Sequence, residues 1–363
     1  MKATQILHNL GQSLWLDNIT RDLLDSGTLK QYINDLSVTG LTSNPTIFDH
    51  AIKNSTAYDA TVRKLAKQES SEEVFFELAL EDLTRAADLF RPIFDETNGV
   101  DGWVSLEVSP TLAHDTASTL AAARDLFARA ARPNLLIKIP GTKEGLPAIE
   151  EAIFSGIPVN VTLLFSREQY VAAAEAFLRG IERRVEAGLN PNIGSVASVF
   201  VSRWDAAVAN KTPDELHNQL GIAIAKRTYK AARALLSSPR WTRIYNLGAR
   251  PQRLLWASTG TKDPKASDIL YIKSLAAPFT VNTMPEGTLK ALAAHTELGE
   301  LLPADGGNCE IVLVQFANAG IDIDALAVQL QNEGAESFVK SWDDLMTVIS
   351  SKSAALKSSA VKA

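Results

Sequence analysis

Eight short apolar stretches punctuate this chain, with stretches of helical periodicity between them. The apolar stretches lie at residues 13–19, 38–43, 102–108, 134–139, 158–165, 193–200, 253–258 and 278–283. Helical segments include 111–131, 143–154, 166–187, 203–238 and 264–275. Strands alternating with helices predict a parallel sheet, because a parallel crossover needs the length of a helix. Eight is also the count that closes such a sheet into a (β/α)8 TIM barrel. The competing architecture, an open doubly wound sheet, calls for a glycine-rich turn after the first strand. Asp17-Asn18-Ile19-Thr20-Arg21 stands there instead. A single barrel is the expectation.

The length of 363 residues fits a barrel at 1–300 with additions. A Glu-, Leu- and Ala-rich helical insertion is expected at 70–94, between the second and third strands. A helix at 286–295 follows the eighth strand. Residues 309–349 keep a helical period and turn at Gly320-Ile321-Asp322, so 301–349 reads as helices packed on the barrel. Ser-, Ala- and Lys-rich residues 350–363 read as a flexible tail. Ser166 with Gln169 three positions on, and Thr142 after the Gly141 turn, are helix-start signals.

Composition narrows the class. Hydrophobic content of 46% with 21% charged residues describes a soluble globular protein, and a net charge of −6 gives no reason to expect nucleic acid. Cys309, the only cysteine, rules out an intramolecular disulfide and fits a reducing cytoplasm. His8, His50, His114, His217 and His295 show no ligand spacing, so no metal is expected. Met1-Lys2-Ala3-Thr4-Gln5 opens no apolar signal region, and no run approaches the roughly 18 apolar residues of a membrane span. The expectation is a cytoplasmic protein, monomer or homodimer.

In a barrel, inward side chains at the carboxyl ends of the strands build the site. In Leu135-Leu136-Ile137-Lys138-Ile139, alternation puts Leu136 and Lys138 on one face, and Pro140-Gly141 ends the strand beyond them. Desolvation disfavours an ammonium, and a neutral amine is the nucleophile that forms a Schiff base with a carbonyl. The bland alternative is a strand-end lysine reaching out to water. The same alternation groups Ser13, Trp15 and Asp17; Gly40, Thr42 and Asn44; and Trp103, Ser105 and Glu107 against Val104, Leu106 and Val108. It also sets Asn160 and Thr162 against Val159, Val161 and Leu163, and brings in Ser198 on the sixth strand. Singly, Glu107 reads as half of a structural ion pair and Asp17 as a helix cap. Together, such a polar set inside a barrel is costly unless it serves a site.

The segments Leu16-Asp17-Asn18, Gly40-Leu41-Thr42-Ser43-Asn44-Pro45-Thr46-Ile47-Phe48, Val104-Ser105-Leu106-Glu107-Val108, Leu136-Ile137-Lys138-Ile139-Pro140 and Asn160-Val161-Thr162-Leu163-Leu164-Phe165-Ser166, in this order, resemble the transaldolase family. The resemblance implies a class I aldolase-type barrel without metal or organic cofactor. Its substrates would be sugar phosphates: a dihydroxyacetone unit would pass from sedoheptulose 7-phosphate to glyceraldehyde 3-phosphate in the non-oxidative pentose phosphate pathway, giving erythrose 4-phosphate and fructose 6-phosphate. Lys138 matches the Schiff-base lysine, and Glu107 the acid/base that works through a water held by Thr162. Asp17 matches the base for carbon–carbon cleavage. Asn44, Asn160 and Ser198 match residues that bond the hydroxyls of the covalent intermediate. Arg203 matches a phosphate-gripping arginine. On the seventh strand Ser258 aligns, but Gly260 stands where a commoner family form has a second arginine. Lys262 is then either the replacement charge or a solvated loop lysine. Two rivals stay open. One is a fructose 6-phosphate aldolase, whose kind places a tyrosine where this chain has Phe200; the other is a sugar-phosphate-binding barrel without turnover.

Overall fold

The structure is a computed structural model and describes residues 1–65 and 70–361. Its eight strands are β1 (Ser13–Asp17), β2 (Val38–Thr42), β3 (Val104–Glu107), β4 (Leu135–Pro140), β5 (Val159–Leu164), β6 (Ser195–Phe200), β7 (Arg253–Ala257) and β8 (Val281–Met284). They pair in parallel in chain order, and β8 returns to β1 to close a barrel.

The period-2 pattern sorts the core into two layers. Val104, Leu106, Val108, Leu135, Ile137, Ile139, Val159 and Val161 face outward and pack under the helices. Trp15, Trp103, Leu136, Val196, Leu255 and Val281 fill the barrel. The two tryptophans need glycine across from them. A Cβ on Gly40 would lie 2.5 Å from Trp15 Nε1, and one on Gly194 would lie 2.3 Å from Trp103 Cζ2. At the amino end a polar plug closes the interior. Arg253 donates to Ser13 Oγ at 2.7 Å and to Thr280 O at 2.9 Å, and Trp15 Nε1 donates to Asp101 Oδ1 at 2.8 Å.

Leu163 departs from the expected alternation. The backbone there enters the left-handed region (φ 59°), and the β5–β6 register shifts between Val161 and Leu164. Such a bulge re-aims a side chain. Leu163 therefore packs with Phe165, Phe200 and Phe338 rather than under the outer helices.

Helical segments are mostly shorter than the periodicity suggests, because local capping breaks them. The expected helix at 203–238 splits into Ser202–Val208 and Leu220–Leu236. Pro213 interrupts it, and Asp205 Oδ1 accepts the Leu220 N–H at 2.9 Å to start the second piece. Residues 111–131 resolve into a short turn and the helix Thr116–Ala130, capped by Asp115. The segment at 264–275 retains only Leu270–Ser274. Ser166 and Gln169 do form a capping box.

The insertion between β2 and β3 is larger than expected, with helices Pro45–Asn54, Asp59–Leu65 and Ser71–Glu96. A buried ion pair pins it to the segment after β1. Arg21 Nε lies 3.0 Å from Asp82 Oδ1, and Tyr58 Oη donates to Asp82 Oδ2 at 2.9 Å.

After β8 come Glu286–Ala294, Cys309–Asn318 and Ile323–Val361, the last two meeting at 91° around Gly320 (φ 86°). Over the tail expected at 350–363 the backbone is helical to Val361, and residues 362 and 363 lie outside the described residues. Lys352 helps hold it there, donating to Ile52 O at 2.7 Å and Ser55 O at 2.6 Å and pairing with Asp59 at 2.8 Å. Nearer its start, Gln331 Nε2 donates to Gly141 O at 3.1 Å and Leu163 O at 2.9 Å. The long helix thus lies across the carboxyl end of the barrel. No single helix among the described residues is long and apolar enough to cross a membrane.

Candidate active site

Register brings the polar residues together. Glu107, Lys138 and Asn160 are direct neighbours across β3, β4 and β5, and Asp17 stands opposite Thr42 across β1 and β2. Lys138, only 6% exposed, donates from Nζ to Glu107 Oε2 at 2.9 Å and to Ser43 O at 3.2 Å. The reading of Lys138 as a snorkelling edge lysine is thereby overturned. Glu107 Oε1 and Thr162 Oγ1 are both buried, and neither has a hydrogen-bond partner among the described residues. Burying such atoms unpartnered is costly.

Asp17 Oδ1 accepts from Thr42 Oγ1 at 2.8 Å, and the Thr42 and Thr283 hydroxyls lie 2.6 Å apart. Asp17 is not a helix cap. Thr20 caps the helix Arg21–Asp25, accepting the Leu23 N–H at 3.0 Å. Desolvation pushes the carboxyls of both Asp17 and Glu107 above the ordinary carboxylate range, against the opposing pull of Lys138. Their mutual repulsion adds to the rise in Glu107.

Asp17, Asn44, Lys138, Thr162, Ser198, Arg203, Ser258 and Lys262 line one cavity of about 400 Å³. Glu107 and Asn160 reach it through neighbours. Glu107 bonds Lys138, while Ser198 Oγ donates to Asn160 Oδ1 at 2.7 Å and Asn160 Nδ2 to Ser105 Oγ at 3.1 Å. Asn44 also caps the helix Pro45–Asn54, its Oδ1 accepting the Ile47 N–H at 3.1 Å. Its amide nitrogen stays available to the cavity.

The far end of the cavity is cationic. Arg203 Cζ sits 5.3 Å from the Phe200 ring centre and 6.0 Å from that of Phe338. Neither Arg203 nor Lys262 forms an ion pair among the described residues. Desolvation lowers both groups, and Arg203 further lowers the rim lysine Lys262. Glu333 acts on Arg203 from beyond ion-pair distance and partly offsets that lowering. Two neighbouring cations with no ion-paired carboxylate suit an anion such as a phosphate. Ser258, in the left-handed region (φ 56°), bonds Ser202 Oγ at 2.8 Å.

Several lining residues escaped the sequence reading. Thr283 was within reach of the alternation rule, since Val281 and Thr283 share the inward face of β8. Ser337 and Phe338 were not, because no local pattern says which barrel mouth a distant helix covers.

The family described as Transaldolase/Fructose-6-phosphate aldolase matches residues 14–349. The chain belongs to this family. A protein named Transaldolase from Thermobifida fusca is 45% identical over 361 residues, spanning 97% of this chain and 98% of that one. A Transaldolase from Saccharopolyspora erythraea is 43% identical over 353 residues, covering 95% and 96%. Transaldolase 2 of Nostoc punctiforme is 39% identical over 362 residues, covering 94% and 95%. Membership in the transaldolase family makes the chain a transferase-class enzyme and its cavity the place to look for the chemistry.

Proposed function

We propose that this member of the transaldolase family moves a dihydroxyacetone unit from sedoheptulose 7-phosphate to glyceraldehyde 3-phosphate through a Schiff base on Lys138. The observation that carries the reading is the triangle of Lys138 Nζ, Glu107 and Thr162. The amine lies 2.9 Å from Glu107 Oε2, while Glu107 Oε1 and Thr162 Oγ1 are buried without partners among the described residues. A water bound to both atoms would satisfy them and could relay a proton to a carbinolamine on Lys138.

The steps follow from the groups present. Transfer of a proton from Lys138 to Glu107 frees the amine, which adds to the ketose carbonyl. Glu107, through the water, then protonates the departing hydroxyl as the imine forms. Asp17 takes the proton of the sugar hydroxyl as the carbon–carbon bond breaks and the first aldehyde leaves. It returns a proton when the acceptor aldehyde is attacked. Asn44, Asn160 and Ser198 bond the hydroxyls of the three-carbon intermediate and keep it oriented meanwhile. Arg203, with Ser258 and Lys262, takes the phosphate. No step requires a metal or organic cofactor, and the buried Cys309 and the absence of a spanning helix among the described residues are compatible with work in the cytoplasm.

Phe200 argues against the aldolase reading, because its ring presents no hydroxyl to protonate the intermediate. The conjunction of Lys138, Glu107 and Asp17 argues against a barrel that binds without turnover. A coupled assay supplying fructose 6-phosphate and erythrose 4-phosphate tests the reading. The expected result is acceptor-dependent formation of glyceraldehyde 3-phosphate. Fructose 6-phosphate cleavage that proceeds equally without erythrose 4-phosphate, or no turnover, would reject it.

A further inference from the structure

Phe338 belongs to the C-terminal helix, about two hundred residues after Lys138, yet its ring centre lies 5.3 Å from Lys138 Nζ. The same ring is 6.0 Å from Arg203 Cζ, so one side chain lies within 6.0 Å of both the amine and the guanidinium. Phe338 is 7% exposed and lines the cavity, next to Ser337. Its approach is set by contacts one and two turns earlier. Gln331 bonds two carbonyls at the carboxyl ends of β4 and β5, and the backbone at Gly334 comes close enough that a Cβ there would press on Leu163 Cδ2 at 3.0 Å and Arg203 Nη1 at 3.3 Å. Thr46 Oγ1 donates to Ser341 Oγ at 2.8 Å on the following turn. The ring is therefore held in place from both sides.

Lys138 is walled by polar groups on the barrel side, where Glu107 and Thr162 lie, and by this ring on the side of the C-terminal helix. We infer that Phe338 is a positioning residue that keeps bulk water from the covalent intermediate and so decides between transfer and loss. The inference rests on Lys138 being the nucleophile. After the first aldehyde leaves, the three-carbon unit remains as an enamine on Lys138. Attack of its nucleophilic carbon on an acceptor aldehyde forms the new carbon–carbon bond. A proton from water on that same carbon instead gives the imine of dihydroxyacetone. Addition of water to the imine carbon and rupture of the carbon–nitrogen bond then release free dihydroxyacetone and restore the lysine amine. The product imine of the transfer route is hydrolysed as well, by the water assigned to Glu107 and Thr162. What an apolar ring over the amine bars is therefore protonation of the enamine carbon by bulk water, the step that only the second route needs. Phe200 lacks a proton donor, and Phe338 bars the solvent from supplying one.

The measurement is a partition ratio: free dihydroxyacetone released per unit transferred, with fructose 6-phosphate as donor and erythrose 4-phosphate as acceptor. Phe338→Ala should raise the ratio about tenfold or more, a shift of about 1.4 kcal/mol between the two barriers. Phe338→Leu keeps most of the apolar volume and should raise it less, in the same direction. That variant decides the matter if the alanine protein does not fold. Loss of packing alone would lower transfer and release together and leave the ratio unchanged. An unchanged ratio in the folded variants therefore overturns the inference. Borohydride capture of the wild-type adduct separates the two readings, since an adduct absent from Lys138 would remove the nucleophile assignment itself.

Discussion

At the level of single residues, the inward set was readable because a strand's side chains alternate strictly. Lys138, Glu107, Asp17, Asn160, Thr162 and Ser198 all follow from that rule, and the register sets Glu107, Lys138 and Asn160 side by side. Leu163 breaks it because a left-handed backbone residue cannot be seen in an apolar run. Partnership was less readable than placement: the Asp17–Thr42 bond and the Thr20 cap depend on how the chain turns after β1. Asp17→Asn separates chemistry from structure. Its amide oxygen can still accept from Thr42, but it cannot take a proton, a role that commonly contributes roughly 10²–10⁴-fold. The variant should trap fructose 6-phosphate as a covalent adduct and turn over at least about a hundredfold more slowly. Stability should move the other way. The folded-state carboxyl is raised, so the folded chain holds a proton that the unfolded chain has released, and Asp17 costs stability as pH rises through that range. The Asn variant should therefore be at least as stable as wild type at neutral pH, an advantage that fades below the ordinary carboxylate range. Thermal denaturation across pH reads this directly.

Among the elements, strands were more legible than helices. Strand bounds follow from a short apolar run and a turn. Helix bounds here depend on caps such as Asp205 on Leu220 and on breaks such as Pro213, which periodicity alone overlooks. The insertion after β2 was visible as helical, but its tether was not. Arg21 joins it to the barrel through the fully buried Asp82, whose carboxyl is pushed up by burial and drawn back by the guanidinium. Arg21→Ala leaves that carboxylate without its partner, a change that costs about 3–5 kcal/mol for buried pairs. Chemical denaturation at neutral pH should show a loss of that size. The loss should shrink at low pH, where Asp82 is protonated and no longer needs the cation. A loss under about 1 kcal/mol, typical of an exposed pair, would show the tether to be dispensable.

For the molecule as a whole, the barrel was legible because eight strands alternating with helices is the count that closes a parallel sheet, whereas the glycines at 40 and 194 that admit two tryptophans show only in the structure. The C-terminal helix was legible as a helix and silent about its destination. Its docking rests on contacts such as Gln331 with Gly141, 190 residues apart, and no local pattern encodes a pairing over that distance. The result is a cavity with a cationic end at Arg203 and Lys262, a carboxylate at Asp17, and a buried amine between barrel and helix. That arrangement stands or falls with Lys138. Incubation with fructose 6-phosphate and borohydride, followed by peptide mass mapping, tests it most directly. The expected result is one reduced three-carbon adduct, on the peptide containing Lys138; an adduct on any other lysine, or none, would contradict that assignment.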